Sequence, residues 1–100
     1  EPFGEDRLFT QPGVDRNFEL GNVKFYGRQP CARCAVPARD PLSGKNDKDF
    51  IKKFTSLRQK HFPSFANEAR FDHFYRLCVN TIIPGSEVHK TLKLGDLFSE

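Results

Sequence analysis

Residues 22–26 read NVKFY, and this stretch sets the fold class of the chain. Val23 and Phe25 alternate with more polar neighbours, the period of two that is typical of a β-strand with one buried face. Gly27 is predicted to end the strand. Upstream, residues 1–21 hold several prolines and glycines, which predicts a loop with short extended pieces.

Two segments further along the chain are also predicted to be extended. Residues 71–83 (FDHFYRLCVNTII) are rich in aromatic and β-branched residues, as expected of a long strand, and Pro84 follows to stop it. Residues 91–98 (TLKLGDLF) alternate leucine with lysine and then turn at residues 95–96. The fold class expected from these patterns is mainly β with one or two helices.

Residues 46–60 form the clearest predicted helix, which Asn46 or Asp47 can cap. Apolar residues recur in it at spacings of three and four, and this periodicity predicts one face buried against the sheet. These residues are Phe50, Ile51, Phe54 and Leu57. Just before the helix, residues 40–44 (DPLSG) predict a turn, because proline fixes a negative φ and glycine permits a positive one.

The bulk composition excludes several classes of protein. A chain of 100 residues forms one domain at most, so residues 1–100 are treated as a single domain. Its 16 basic and 13 acidic residues give a net charge of +3 without a lysine or arginine block, so nucleic-acid binding is not indicated. No stretch approaches the roughly 18 apolar residues of a membrane span. The odd number of cysteines, 3, favours unpaired thiols in a reducing, cytoplasmic setting.

Residues 30–34 (PCARC) place Cys31 and Cys34 three positions apart, and several interpretations are open. The pair is half of a zinc site that His73 and Cys78 could complete, but in one strand these two would point to opposite faces. A redox pair of the thioredoxin type needs a helix N-terminus that the prolines disfavour. Small buried cysteines and a soft-metal ligand are the remaining alternatives, and a nearby arginine can favour a thiolate.

PCARC followed by DPLSG resembles the Pro-Cys-x-Arg-Cys and Asp-Pro-x-Thr-Gly signatures of the MOSC domain, named after the C-terminal region of molybdenum cofactor sulfurase. Residues 2–6 (PFGED) are similar to the family's Phe-x-Glu-Asp stretch, and residues 54–58 (FTSLR) to its Leu-x-x-Tyr-Arg helix. Residues 84–85 (PG) followed by residues 92–98 (LKLGDLF) are similar to its closing Pro-Gly and Val-Gly-Asp strand. The likeness covers nearly all 100 residues, which correspond to the C-terminal portion of the family domain. It implies a partial MOSC-type β-barrel.

The chain departs from the family pattern at several positions: Ser43 stands for the usual threonine, Leu57 for tyrosine and Leu8 for tryptophan. The resemblance implies that Cys34 binds molybdenum and is the catalytic ligand, with Cys31 as its structural neighbour. Thiolate is a soft, electron-rich donor suited to a high-valent metal.

The implied activity is that of a molybdenum-cofactor-dependent oxidoreductase that reduces N-hydroxylated or N-oxide compounds. Arg33 and Arg58 are expected to lie near the molybdopterin, since guanidinium matches its phosphate; a solvent-exposed Arg58 is the alternative. The implied partners are an electron-donor protein or domain and a missing N-terminal part of the same protein.

Two other hypotheses are open. In the first, Cys34 carries sulfur as a persulfide for the assembly of a metal centre. The family is also associated with pyridoxal phosphate, although no lysine here stands in a recognisable Schiff-base motif. In the second hypothesis, residues 1–100 alone have no activity, because a barrel that lacks strands leaves the backbone groups of its edge strands unpaired.

Overall fold

The computed structural model describes residues 2–100, and within them the chain folds into a four-stranded antiparallel sheet with one α-helix. The strands lie in the order β3-β2-β1-β4. Short 3-10 helices cover Gly4–Leu8, Val36–Ala38, Glu68–Arg70 and Gly85–Glu87. The strands and helix are β1 (Arg16–Leu20), β2 (Val23–Ala32), α1 (Phe50–Lys60), β3 (Arg76–Ile82) and β4 (Phe98–Ser99). The mainly β fold class with one helix is confirmed, whereas the sheet formed by the described residues is open and not closed into a barrel.

The hairpin of β1 and β2 carries the hydrophobic core. Phe18 lies opposite Phe25 in the ladder, and their rings stack with centroids 5.2 Å apart. Leu8 and Val23 complete the buried cluster, so the strand alternation read from residues 22–26 faces the core as predicted. The strand β1 lies in the region that was expected to be a loop with short extended pieces, and it is one such piece.

Gly27 does not end β2, contrary to the sequence-based prediction; the strand continues to Ala32. A Cβ atom at Gly27 would overlap the carbonyl oxygen of Leu8, at the end of the first 3-10 helix. The glycine therefore admits a neighbouring backbone segment instead of breaking the strand, the second common use of glycine inside a sheet.

We expect Gly27→Ala to lower the free energy of unfolding by about 3 kcal/mol, the upper end of the usual range for overpacking, because the contact is with backbone. Urea denaturation would measure the change. Gly85→Ala is the matched control, since a Cβ at Gly85 meets no atom within 4 Å. Equal stability of the two variants would contradict the close approach of Leu8.

Strand β3 is shorter than predicted, because residues 71–75 lie outside it. Phe71 belongs instead to an aromatic cluster, with its ring centroid 4.9 Å from that of Phe62 and 5.9 Å from that of Phe9. Since His73 also precedes the strand, the premise that His73 and Cys78 occupy one strand is wrong. Burial of the large rings outweighs the strand preference of this segment.

Strands β2 and β3 pair with an irregularity at the cysteine segment. Pro30 lies opposite Val79 and Ala32 opposite Arg76, so β3 has one more residue than β2 between these pairs. Cys78 has a φ of 68°, in the left-handed region that favours glycine. The irregularity is a β-bulge, a place where proline is tolerated in a sheet.

Helix α1 begins at Phe50, later than predicted. Asn46 forms an isolated bridge with Arg39, and the carboxylate of Asp47 accepts a hydrogen bond from the Asp49 N–H at 3.0 Å. The polar residues expected to cap the helix are therefore used in the preceding loop. Asp49 is the N-terminal flanking residue and makes no capping hydrogen bond through its side chain.

The predicted buried face of α1 is only partly correct. Phe50 and Phe54 are half-buried, but Ile51 is exposed and Leu57 is 56% exposed. The one buried residue of the helix is Arg58. The helix therefore contacts the rest of the protein through half-buried aromatic rings and a buried charge.

Residues 91–97 are not a strand, and only Phe98–Ser99 pair with β1. The predicted turn at residues 95–96 is confirmed by the hydrogen bond from the Asp96 N–H to the Lys93 carbonyl, 3.1 Å. Leu94 is fully exposed and Leu97 largely so. The leucines of this segment therefore do not form the buried face that the strand prediction assumed. No helix in residues 2–100 has both the length and the apolar character needed to cross a membrane.

Glu87 ties the last 3-10 helix to the start of β2. Its carboxylate accepts from the Lys90 ammonium at 3.0 Å and from the Lys24 backbone N–H at 2.7 Å. These two hydrogen bonds lower the pKa of Glu87 below its ordinary value of 4.5. Glu87 therefore stabilises the fold fully above about pH 4.5, and this stabilisation is lost as the pH falls through the lower folded pKa.

Glu87→Gln is expected to flatten the loss of stability on acidification below about pH 4.5, because the group that titrates there is gone. Thermal melts across pH 3 to 7, roughly the range in which carboxylates titrate, would test this. Glu68→Gln, which changes an exposed carboxylate, serves as the control. An unchanged acid limb in Glu87→Gln would contradict the assignment.

Candidate functional site

Cys34 lies in the loop that follows β2, and its side chain is exposed. The hydroxyl of Tyr75 donates a hydrogen bond to the Cys34 carbonyl oxygen at 2.7 Å. One residue earlier, the Arg33 N–H donates to the Tyr75 carbonyl oxygen at 3.1 Å. The backbone that carries the Cys34 thiol is thus attached on two sides to a single residue of the neighbouring chain segment.

Tyr75 is itself fixed by its surroundings. It is buried, its ring meets that of Phe54 edge-on with centroids 5.7 Å apart, and its N–H donates to the His73 Nδ1 at 3.2 Å. Sequence reasoning missed this residue, because it was counted as one of several aromatics in a long strand. A single tyrosine among phenylalanines was the only available signal, since only its hydroxyl can bond a carbonyl.

Arg33 contacts the first cysteine of the motif and not the second. Its Nη1 donates to the Cys31 Sγ at 3.5 Å, while Cys31 is half-buried at the end of β2. Cys34 and Cys78 are exposed, and all three thiols are free. The segment therefore presents the exposed Cys34 thiol on a backbone fixed by Tyr75. The half-buried Cys31 thiol lies next to the positive charge of Arg33.

Among residues 2–100, no group of three or more His, Cys, Asp or Glu side chains is placed to hold a metal ion. His73, which the zinc alternative required, belongs to no such group. Its Nδ1 accepts a hydrogen bond from the Tyr75 backbone N–H. A metal held by several protein ligands therefore has no geometric support in the described part of the chain. A metal held by one thiolate is a different case, because its other ligands come with the cofactor.

The predicted turn at residues 40–44 is confirmed. The Asp40 carboxylate accepts from the N–H groups of Ser43 and Leu42, at 2.9 and 2.8 Å, and these two hydrogen bonds lower the pKa of Asp40. Gly44 has a positive φ of 72°, as this turn requires. The turn folds the segment between the cysteine loop and α1 back on itself.

Arg58 is placed in the interior and not at a surface. Its Nη2 donates to both carboxylate oxygens of Asp6, at 2.9 and 2.7 Å, and both side chains are 1% exposed. Its Nε donates to the Arg76 carbonyl at 3.2 Å, and the Phe3 ring lies 3.9 Å from its guanidinium carbon. The solvent-exposed alternative for Arg58 is therefore wrong, and its expected place beside a cofactor phosphate gains no support.

Burial raises the pKa of the Asp6 carboxyl, and the hydrogen bond and charge of Arg58 act in the opposite direction. The geometry, with a guanidinium bonded to both oxygens, is that of a charged pair. The family motifs in residues 2–6 and 54–58 contain both residues, but a role was expected only for Arg58, and no sequence signal showed that the two meet.

We expect Asp6→Asn to lower the free energy of unfolding by about 3 kcal/mol, because it leaves the Arg58 charge buried without an opposite charge. Urea denaturation at neutral pH would measure this. Asp72→Asn is the matched control: Asp72 also pairs with an arginine, Arg76, but its side chain is 76% exposed, so little change is expected. Similar losses in both variants would contradict the special role of the buried pair.

Comparison of the chain with protein-family models, with curated proteins and with solved structures finds no match. The MOSC resemblance therefore rests on motifs alone, in residues 2–6, 30–34, 40–44, 54–58, 84–85 and 92–98. The functions that it implies are proposals.

Proposed function

We propose that this chain is the C-terminal portion of a MOSC-type domain, in which the Cys34 thiolate binds the metal of a molybdenum cofactor. The proposed activity is reduction of N-hydroxylated or N-oxide compounds with electrons from a partner protein or domain. The observation that carries the proposal is the exposed thiol of Cys34 on a backbone held by Tyr75. An accessible thiol on a fixed loop can meet a large cofactor without the loop having to be reordered.

The donor set fits a cofactor-bound metal better than a metal held by protein ligands alone. Cys34 supplies one soft donor, and no cluster of three ligating side chains in residues 2–100 competes for the ion. When bound, the cofactor would supply the redox-active metal. The protein's part is to present the thiolate. Arg33 is exposed in the same loop, and its Nη1 contacts the Cys31 Sγ.

Arg58 is left out of the proposed site, because its guanidinium is buried against Asp6. Its proposed role is to hold α1 in position. Phe54 of that helix contacts the Tyr75 ring, and the Tyr75 hydroxyl bonds the Cys34 carbonyl. The partial barrel remains part of the proposal. Strands of the N-terminal part of the same protein would pair with the free edge of β3 or β4, since an open sheet presents unpaired backbone groups there.

A sulfur-carrier function is the second candidate, and the same exposure of Cys34 favours it. A persulfide carrier needs an accessible thiol and does not need metal-binding side chains. An association with pyridoxal phosphate rests on the family resemblance alone.

Cys34→Ser is expected to abolish molybdenum binding in the full-length protein, whereas Cys31→Ser largely spares it. A serine hydroxyl is a harder donor that stays protonated near neutral pH, so it cannot replace the thiolate. Metal analysis of the purified variants, together with pterin fluorescence, would measure occupancy. Circular dichroism would verify that both variants are folded.

Equal molybdenum content in wild type and Cys34→Ser would remove the basis for the oxidoreductase proposal. Persulfide mass on Cys34 in a protein that holds no molybdenum would favour the sulfur-carrier alternative. Loss of metal from both folded variants would indicate a site shared by the two thiols.

A further inference from the structure

The sheet register brings Cys31 and Cys78 together, although 47 positions separate them in the sequence. Pro30 lies opposite Val79 and Ala32 opposite Arg76. Cys31 is therefore the residue of β2 that faces the bulge of β3, and Cys78 is one of the two bulge residues. In a regular antiparallel pair, facing residues have Cα atoms about 4.5–5.5 Å apart, within the roughly 4.4–6.8 Å that disulfides span, and a bulge places two residues opposite one.

The backbone of Cys78 is unusual at this place. Its φ of 68° is one of only two positive values at non-glycine positions in residues 2–100. A bulge residue in the left-handed region is normally glycine, because a Cβ is strained there. A cysteine kept in this conformation, opposite another cysteine, suggests that the thiol itself is used, since strained residues cluster at functional sites.

The contact made by the Cys31 sulfur and the exposure of Cys78 also suit reaction. Arg33 donates to the Cys31 Sγ at 3.5 Å, which places a positive charge where a thiolate would carry its negative charge. Cys78 is exposed and Cys31 half-buried, so a small reagent can approach. Neither thiol is required by the proposed binding of molybdenum at Cys34.

We propose that Cys31 and Cys78 are a dithiol that a low-molecular-weight disulfide oxidises reversibly to an intramolecular disulfide. The Cys31 thiolate attacks one sulfur of the reagent, whose S–S bond breaks and releases one thiolate. The Cys78 thiolate then attacks the Cys31 sulfur of this mixed disulfide and releases the second. Two protein thiols are oxidised, one reagent disulfide is reduced, and both protons leave with the two released thiols.

Trypsin makes the test selective, because it separates the three cysteines. Cleavage after Arg28, Arg33 and Arg39 puts Cys31 in peptide 29–33 and Cys34 in peptide 34–39, and Cys78 falls in peptide 77–90. The reduced, folded protein is equilibrated with oxidised and reduced glutathione at graded ratios. Free thiols are then blocked, the chain is digested without reductant, and the peptides are identified by mass spectrometry.

We expect the number of free thiols to fall from 3 to one, and peptide 29–33 to be linked to peptide 77–90. The link should form in Cys34→Ser and be lost in Cys31→Ser and in Cys78→Gly, a variant chosen because glycine suits the bulge. Cys78→Gly should instead accumulate glutathione on Cys31. In urea, where the register is lost, the selectivity for Cys78 should disappear.

Three free thiols in the folded protein at the most oxidising ratio would overturn the proposal. A link between peptides 29–33 and 34–39 in the folded wild type would also overturn it, because Cys34 would then be the partner. Either result leaves the molybdenum content of Cys34→Ser untouched, so failure here is distinguishable from failure of the proposed function.

Discussion

The ion pair of Asp6 and Arg58 joins the segments on which the candidate site depends. Asp6 belongs to the first 3-10 helix and Arg58 to α1, and the Arg58 Nε reaches the carbonyl of Arg76 where β3 begins. Removing either partner would leave a buried charge uncompensated, so these three segments are energetically bound to one another. Helix α1 depends on this contact in particular, because its apolar residues are exposed or only half-buried.

Positioning of the cysteine loop follows from that contact in short steps. Arg58 holds α1, Phe54 of the same helix contacts the Tyr75 ring, and the Tyr75 hydroxyl bonds the Cys34 carbonyl. Each step is a direct contact between named groups. The backbone that carries the exposed Cys34 thiol is thus linked by direct contacts to an ion pair buried in the interior.

Local patterns predicted the features that depend on local chemistry. The strand alternation around Val23 and Phe25, the turn at residues 40–44 and the existence of α1 follow from neighbouring residues alone, and each is present. The predictions failed where distant segments meet. Gly27 was expected to end a strand because Leu8 could not be seen to approach it. Arg58 was expected beside a cofactor phosphate, or alternatively in solvent, because its partner Asp6 lies 52 positions away.

The candidate site shows the same division. The motif in residues 30–34 identified both cysteines, and no local pattern marked Tyr75 as the residue that holds the loop. Nor could the sequence place Cys78 opposite Cys31, because register depends on a bulge that inserts one residue into a ladder between distant segments. The spacing of residues along the chain therefore identifies candidate reactive side chains, whereas the tertiary structure decides which side chains lie next to one another.

The order of the strands also has a consequence for the folding of the chain. Strands β1 and β2 are joined by two residues, so their hairpin closes a very short loop, whereas β2 and β3 meet only after residues 33–75 have been brought back. Closing the loop between β2 and β3 costs more chain entropy before any stabilising contact between these strands forms. We therefore expect the hairpin with its stacked phenylalanines to form early. The cysteine bulge and the loop of Cys34 would acquire their native geometry after the hairpin.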